Sequence, residues 1–277
     1  MRPMAMWWIS VVVMSLQRWL QLVINNLIWL IFVMRAKIFD NWRTYTRIRA
    51  QAIEGMKFRG RREQLICGLF ARVDALSQDI VRILKADAST GCAPLMRCAF
   101  ESFIDLKCFK ENEKYIYEFE ALHVDSEIKY YKFYDEANKY FPNIGAEQAK
   151  QKVRTLQEHK RDLLEGREKV MRIKDRFEMA GELGSYLTIY HTLSNLTHPS
   201  ITALSSQTDG EDYVLQKRPN DSTYNFFFSS TINLACATLI ETLEALDYNR
   251  HFEKDLFDNI SRVNNKCPKK DRVATEE

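Results

Sequence analysis

Residues Met6 to Met34 constrain the chain most. They read Met6-Trp7-Trp8-Ile9-Ser10-Val11-Val12-Val13-Met14-Ser15-Leu16 and, after a polar interruption, Leu27-Ile28-Trp29-Leu30-Ile31-Phe32-Val33-Met34. As a helix this run would be about 43 Å long at ~1.5 Å per residue, and a bilayer core needs only about 20 residues. The segment must therefore enter lipid or be buried in protein. Trp7 and Trp8 at one end and Trp29 near the other fit interfacial anchoring. A cleaved secretory signal fits less well: the apolar run is too long, and Arg35 and Lys37 follow it in place of a small-residue cleavage site. Residues 1–34 are expected to be a membrane helix that spans the bilayer with tilt or lies in its plane.

The interruption sets the character of that helix. Gln17, Gln21 and Asn25 are four apart and share one face, with Arg18 beside them. Arg18 near mid-membrane costs about 2.5–3.5 kcal/mol on insertion scales, which the surrounding aliphatic and aromatic residues can offset. Amides in lipid seek partners. The stripe Gln17, Arg18, Gln21 and Asn25 is thus expected to face another copy of itself, or water if the helix lies flat.

Charge orients the segment. Residues 1–62 hold eleven basic and two acidic side chains, or +9, whereas the whole chain is +3, leaving −6 for the remainder. Most of the basic residues follow Met34, so the N-terminus is expected outside and the body in the cytoplasm. Residues 35–62 form a basic juxtamembrane segment carrying Trp42, Tyr45 and Phe58. Basic residues interleaved with aromatics can meet anionic lipid headgroups or single-stranded nucleic acid; an amphipathic connecting helix with a solvated basic face is the plainer reading.

The rest reads as all-α, a helical bundle over 63–263 with a disordered tail at 264–277. Glycine and proline are sparse, 9 and 6 of 277 residues. Leu65, Ile66, Leu69, Val73, Leu76, Ile80, Ile83 and Leu84 recur at helical spacing. Pro94 suits the first turn of a second helix that reaches about Lys110, and a third is expected over 113–140. Residues 146–177 look like one long charged helix, an exposed arm or an outer layer. A helix over 182–196, a turn at Asp209-Gly210, a helix over 223–248 capped by Ser222 and a short helix over 252–263 complete the pattern. Residues 224–246 are apolar enough for a second span. Asn233, Glu241, Glu244 and the lack of a basic flank favour a buried bundle helix instead. Six cysteines form no C-x-x-C pair, so no zinc site is signalled, and no metal or cofactor is expected.

Two constellations could carry chemistry. Arg97 and Glu101 are four apart on an apolar helix, either a structural pair or the polar floor of a pocket, with Asp105 one turn further. Tyr190 to Pro199 places His191, Ser194, Asn195 and His198 on roughly one face. His198 could act as acid or base on RNA, helped by Asn195 and with His191 or Arg97 assisting. It could equally close a helix end by bonding to backbone or to Glu101. No Gly-rich phosphate loop, H-E-x-x-H or G-x-S-x-G occurs.

The R-x-x-x-E of Arg97–Glu101 and the Y-x-x-L-S-x-x-x-H-P of Tyr190–Pro199 resemble an uncharacterised all-helical bacterial family, the likeness covering roughly 64–248. Such domains are similar to modules of bacterial stress and anti-phage systems. The His198 region also resembles HEPN-like helical ribonucleases, which use an Arg, four to six residues, then His; no Arg stands in that window here. A membrane segment joined to a helical body looks like the transmembrane effector encoded beside a retron reverse transcriptase. That resemblance implies abortive infection, with the effector restrained by the reverse transcriptase and its RNA–DNA hybrid and damaging the membrane on release. The leading expectation is a self-associating, non-enzymatic toxic effector whose polar stripe makes a leaky defect. The alternatives are a membrane-tethered ribonuclease using His198 and a non-toxic membrane adaptor.

Overall fold

The computed structural model describes residues 39–134, 145–198, 203–204, 208–209, 212–213 and 219–248. The expected membrane helix at 1–34, its stripe Gln17, Arg18, Gln21 and Asn25, the helix at 252–263 and the tail at 264–277 lie outside the described residues. Residues 39–54 belong to one compact unit and the remaining described residues to a second, Gly55–Glu253.

In the first unit, α1 runs through residues 39–53. Trp42, Tyr45, Ile48 and Ala52 are buried at spacings of three and four, and the Trp42 and Tyr45 rings lie 5.0 Å apart. Arg43 and Arg47 are exposed. This is the amphipathic helix with a solvated basic face. Trp42 and Tyr45 are turned inward, and of the three aromatics singled out in residues 35–62 only Phe58 is exposed.

Among its described residues the second unit is helical apart from two paired two-residue strands, β1 (Thr208–Asp209) and β2 (Asp212–Tyr213), which flank the position of the expected turn. Its core is made by three helices packed on one another: α2 (Arg61–Lys85), α3 (Cys92–Glu111) and α9 (Asp221–Ala245). α2 buries one stripe, Ile66, Leu69, Phe70, Val73, Ile80, Val81 and Leu84, as its spacing predicts. α3 is buried nearly all round because it also touches α4 (Tyr115–Lys132), α6 (Ile173–Met179) and α8 (His191–Thr197). The Arg62 guanidinium donates to Phe109 O at 2.5 Å, closing the carbonyl end of α3.

Among the described residues, α9 is the one helix long and apolar enough to cross a membrane. Its surroundings explain the composition. It packs against α2 and α3, and its buried Thr231, Thr238 and Thr242 hydroxyls donate back to the carbonyls of Phe227, Leu234 and Thr238 at 2.6–2.7 Å. Glu241 accepts from Lys110 of α3 at 2.6 Å, and Glu244 bonds the same ammonium. Burial opposes the Lys110 charge, but these two carboxylates carry its pKa above the ordinary lysine value. The N-cap is Asn220, which accepts from Thr223 N at 2.8 Å, and not the expected Ser222, which lies inside the first turn.

The charged stretch at 146–177 is not one helix. α5 (Ala146–Leu163) stops at a turn where Glu165 and Gly166 take φ of 51° and 87°. A left-handed glycine ends the helix because it has no Cβ to clash. α6 then begins at Ile173. α5 packs on α4 as a hairpin around Val124, Ile128 and Leu156. Its sparse apolar positions suffice because only Ala149 and Leu156 need full burial.

Cys67, Cys92, Cys98 and Cys108 are free thiols. Burial pushes the Cys92 and Cys108 thiols up to about 12, so they pack as small inert hydrophobes.

Candidate functional site

The two constellations, a hundred residues apart in sequence, meet in space. α3 presents Arg97 and Glu101 one turn apart, and Arg97 Nε donates to Glu101 Oε1 at 3.1 Å. The other side of the site comes from a continuous helical run: α7 (Leu183–Ser185), a π-helical turn (Tyr186–Tyr190) and α8. A π-turn carries one extra residue and so rotates the helix beyond it. Here the turn delivers Tyr190 to α3. The Tyr190 hydroxyl donates to Glu101 Oε1 at 2.8 Å, and the Arg97 guanidinium lies over the Tyr190 ring, 5.2 Å from its centroid.

His198 succeeds the last turn of α8 with extended backbone. Its Nε2 is 2.9 Å from Arg97 Nη1. Arginine can only donate, so Nε2 is the acceptor and the ring proton sits on Nδ1. The His198 ring thus meets Arg97, while its backbone N–H donates to Ser194 O at 3.2 Å and closes the end of α8, as one of the two expectations had it. No arginine stands in the sequence window before His198; the arginine that meets it in space is Arg97 of α3.

The layers of the site differ in exposure. Tyr190 is buried, Arg97 and Glu101 are partly open with side chains 23% and 33% exposed, and His198 is at the surface. Burial, and then the Glu101 carboxylate, push the Tyr190 phenol up to about 12. It remains a hydrogen-bond donor at neutral pH. Burial works against the Arg97 charge, but Tyr190 and Glu101 more than restore it, and its pKa rises. The result is a fixed guanidinium beside an accessible imidazole.

Below this layer lies a second buried network. Asp105 Oδ1 accepts from Arg176 Nη1 of α6 at 2.6 Å and from the Tyr115 hydroxyl at 2.7 Å. Burial pushes the Asp105 carboxyl above its ordinary range, only partly countered by Arg176 and Tyr115. The adjacent Phe177 packs with tilted rings against Phe100, Tyr186 and Tyr190, centroids 5.1–5.6 Å away. Nearby, Lys107 donates to Glu182 Oε1 at 2.7 Å just before α7. α6 is therefore a wedge that fixes the π-turn against α3. Tyr115, Phe177 and Arg176 carry no signal of this role in the sequence; Arg176 looks there like any solvated arginine of a charged helix.

His191, the other expected member, does not join the centre. It is exposed on α8, and its Nε2 lies 3.1 Å from Asn195 Nδ2. Clefts of about 380 and 430 Å³ run along α4 and α5, and neither is lined by Arg97, Glu101, Tyr190 or His198. Among the described residues, no three or more His, Cys, Asp and Glu side chains are placed to hold a metal.

The profile of a family of unknown function, DUF5677, matches residues 63–213, more than half of the chain. The chain belongs to the DUF5677 family. No curated relative and no solved structure matches it. Arg97, Glu101, Tyr190 and His198 all fall within the DUF5677 match, whereas α1 and α9 lie outside it. α9 nonetheless completes the three-helix core on which the DUF5677 segment rests.

Proposed function

We propose that the bundle binds and cleaves a phosphodiester of single-stranded RNA at the Arg97–His198 centre. One observation carries the reading: Arg97 Nη1 stands 2.9 Å from Nε2 of a surface histidine. A guanidinium with five N–H donors can hold a phosphate while also bonding Glu101. An imidazole with a lone pair on Nε2 can take a proton. RNA supplies its own nucleophile. The phosphate takes over the Arg97 Nη1–H that Nε2 accepts in the free chain, and the freed Nε2 removes the ribose 2′-hydroxyl proton; the 2′-oxygen attacks phosphorus, and the bond to the 5′-oxygen breaks. That oxygen takes a proton from water, and the hydroxide formed takes the proton held on Nε2. The products are a 2′,3′-cyclic phosphate and a 5′-hydroxyl. Arg97 stabilises the charge that develops on the equatorial oxygens, and Glu101 with Tyr190 keeps Arg97 aimed.

The test is cleavage of a labelled single-stranded RNA by the full chain in detergent. His198→Ala is expected to lower the rate by about 10²–10⁴-fold, the usual contribution of a positioned acid–base group, with the helical circular dichroism unchanged because His198 is exposed. An RNA left intact by the wild-type chain would discard this reading.

A second reading is favoured by the sequence of residues 1–34. The stripe Gln17, Arg18, Gln21 and Asn25 suits a self-associating helix that makes a water-lined defect in an inner membrane when the chain is released from a partner. In the retron-like form of this reading the partner is a reverse transcriptase with its RNA–DNA hybrid, and the outcome is abortive infection. Changing the four residues to Leu should keep the chain at the membrane but abolish leakage of a trapped dye. The adaptor reading predicts neither leakage nor cleavage on expression alone.

A further inference from the structure

Between Glu182 and Asp209 there is no Asp, Glu, Lys or Arg, in a chain of which 28% is charged. Part of this stretch is not buried. Leu187, Thr188, His191, Thr192, Asn195 and His198 are exposed along one side of the π-turn and α8. An exposed helical face is ordinarily where charges collect. This face carries instead neutral donors, acceptors, one imidazole and an apolar side chain, and it ends at His198 beside Arg97.

We infer that this face is a nucleobase subsite in which His191 and Asn195 recognise a base next to the phosphate held by Arg97. The inference rests on the phosphodiester reading above for its ligand. The split of chemistry matches the two halves of a nucleotide. The anionic phosphate meets the cation of α3, and the uncharged base meets the uncharged face of α8. Single-stranded RNA is read by stacking bases on rings such as histidine and by hydrogen bonds to their edges. Asparagine can present both a donor and an acceptor to one base edge. His191 and Asn195 are already paired at 3.1 Å, so imidazole and amide are fixed relative to each other before a base arrives. His198 stands seven positions after His191, which puts them on roughly one side of the helical run and about 10 Å apart along its axis at ~1.5 Å per residue. That spacing lets one strand touch both. Lipid is a poorer occupant, because the stretch between Glu182 and Asp209 itself carries no Lys or Arg.

The experiment measures binding and cleavage of fluorescent A, C, G and U homopolymer RNAs by the full-length chain in detergent, alongside the His191→Ala/Asn195→Ala double variant and His198→Ala. The wild-type chain is expected to prefer one base by about tenfold, the worth of roughly 1.4 kcal/mol of edge recognition. The double variant is expected to level the four RNAs while still binding them through Arg97. His198→Ala should bind with the wild-type preference and not cleave. If the wild type binds one base selectively but cleaves nothing, and the double variant levels that binding, the reaction falls and the subsite stands. If all four RNAs bind alike, if none binds, or if the double variant keeps the preference, the subsite is overturned. Cleavage lost only in His198→Ala would then still support the reaction.

Discussion

Tyr190 shows how one side chain can serve two purposes. Its ring packs on Phe177 and stacks on Tyr186 at 5.4 Å, while its hydroxyl holds the carboxylate that aims Arg97. Tyr190→Phe keeps the packing and removes the bond. It is expected to cost about 1 kcal/mol, the usual net worth of one neutral hydrogen bond, or somewhat more for a charged acceptor. The effect depends on pH with a definite sign. The folded phenol titrates at about 12 against 10.0 in its unperturbed form, burial being the first cause and Glu101 the second. The folded state thus holds this proton more tightly, so stability present below pH 10.0 is lost as pH rises through about 12. Urea unfolding of both chains from pH 8 to 12 should show the wild type falling faster and its advantage over Tyr190→Phe shrinking. An advantage that grows with pH would contradict the assignment. At this scale the sequence was only half legible. The spacing of Arg97 and Glu101 reveals their bond, because neighbours one turn apart on a helix must meet. It says nothing of Tyr190 and His198 reaching them, which depends on how α8 lies against α3.

The α4–α5 hairpin is held differently from the core. Few apolar side chains join the two helices, so ion pairs at their seam count for more. Asp125 of α4 accepts from Lys160 of α5 at 2.7 Å, with both side chains only 15% exposed, and from Lys129 at 2.8 Å. Burial alone would raise the Asp125 carboxyl; the two ammonium groups outweigh it and hold its pKa below the ordinary carboxylate value. A depressed carboxylate stabilises the fold above its unfolded pKa and loses that contribution as pH falls through the folded value. Acid below about pH 4 should therefore open α4 and α5 before the α2–α3–α9 core, seen as faster amide exchange confined to the hairpin. Lys160→Met should weaken the hairpin at neutral pH by about 1.5–3 kcal/mol, the range for hydrogen bonds to charged groups, and remove part of its acid sensitivity. Uniform exchange across both regions would refute the ordering. The sequence placed most helices because periodicity and Pro94 are local signals. It joined α5 to α6 because the break is made by backbone at Glu165 and Gly166, inside a run whose charge composition does not change.

At the level of the whole molecule, two segments compete for the bilayer, and physical context separates them. Residues 221–245 pass a test of length and hydropathy. Yet α9 spends its apolar side chains on α2 and α3, bonds its own hydroxyls and gives Glu241 and Glu244 to Lys110. Moving it into lipid would strip the core from the bundle and leave Lys110 without its carboxylates. Residues 6–34 hold two apolar runs around a polar interruption and are followed by a basic excess, and flanks of that kind tend to stay on the cytoplasmic side of a membrane helix. Fractionation discriminates between them. The full chain is expected in the membrane pellet and to resist extraction by carbonate at high pH. A chain starting at residue 35 is expected in the soluble fraction with the helical circular dichroism of the bundle intact. Retention of that shorter chain in the carbonate-washed pellet would assign the anchor to α9 and require the α2–α3–α9 core to rearrange. Release of the full chain by carbonate would instead mean that residues 6–34 lie on the surface or inside protein. The polar stripe would then face water or a partner, and the membrane-defect reading would lose its basis, while cleavage at Arg97 and His198 would remain to be judged on its own rate.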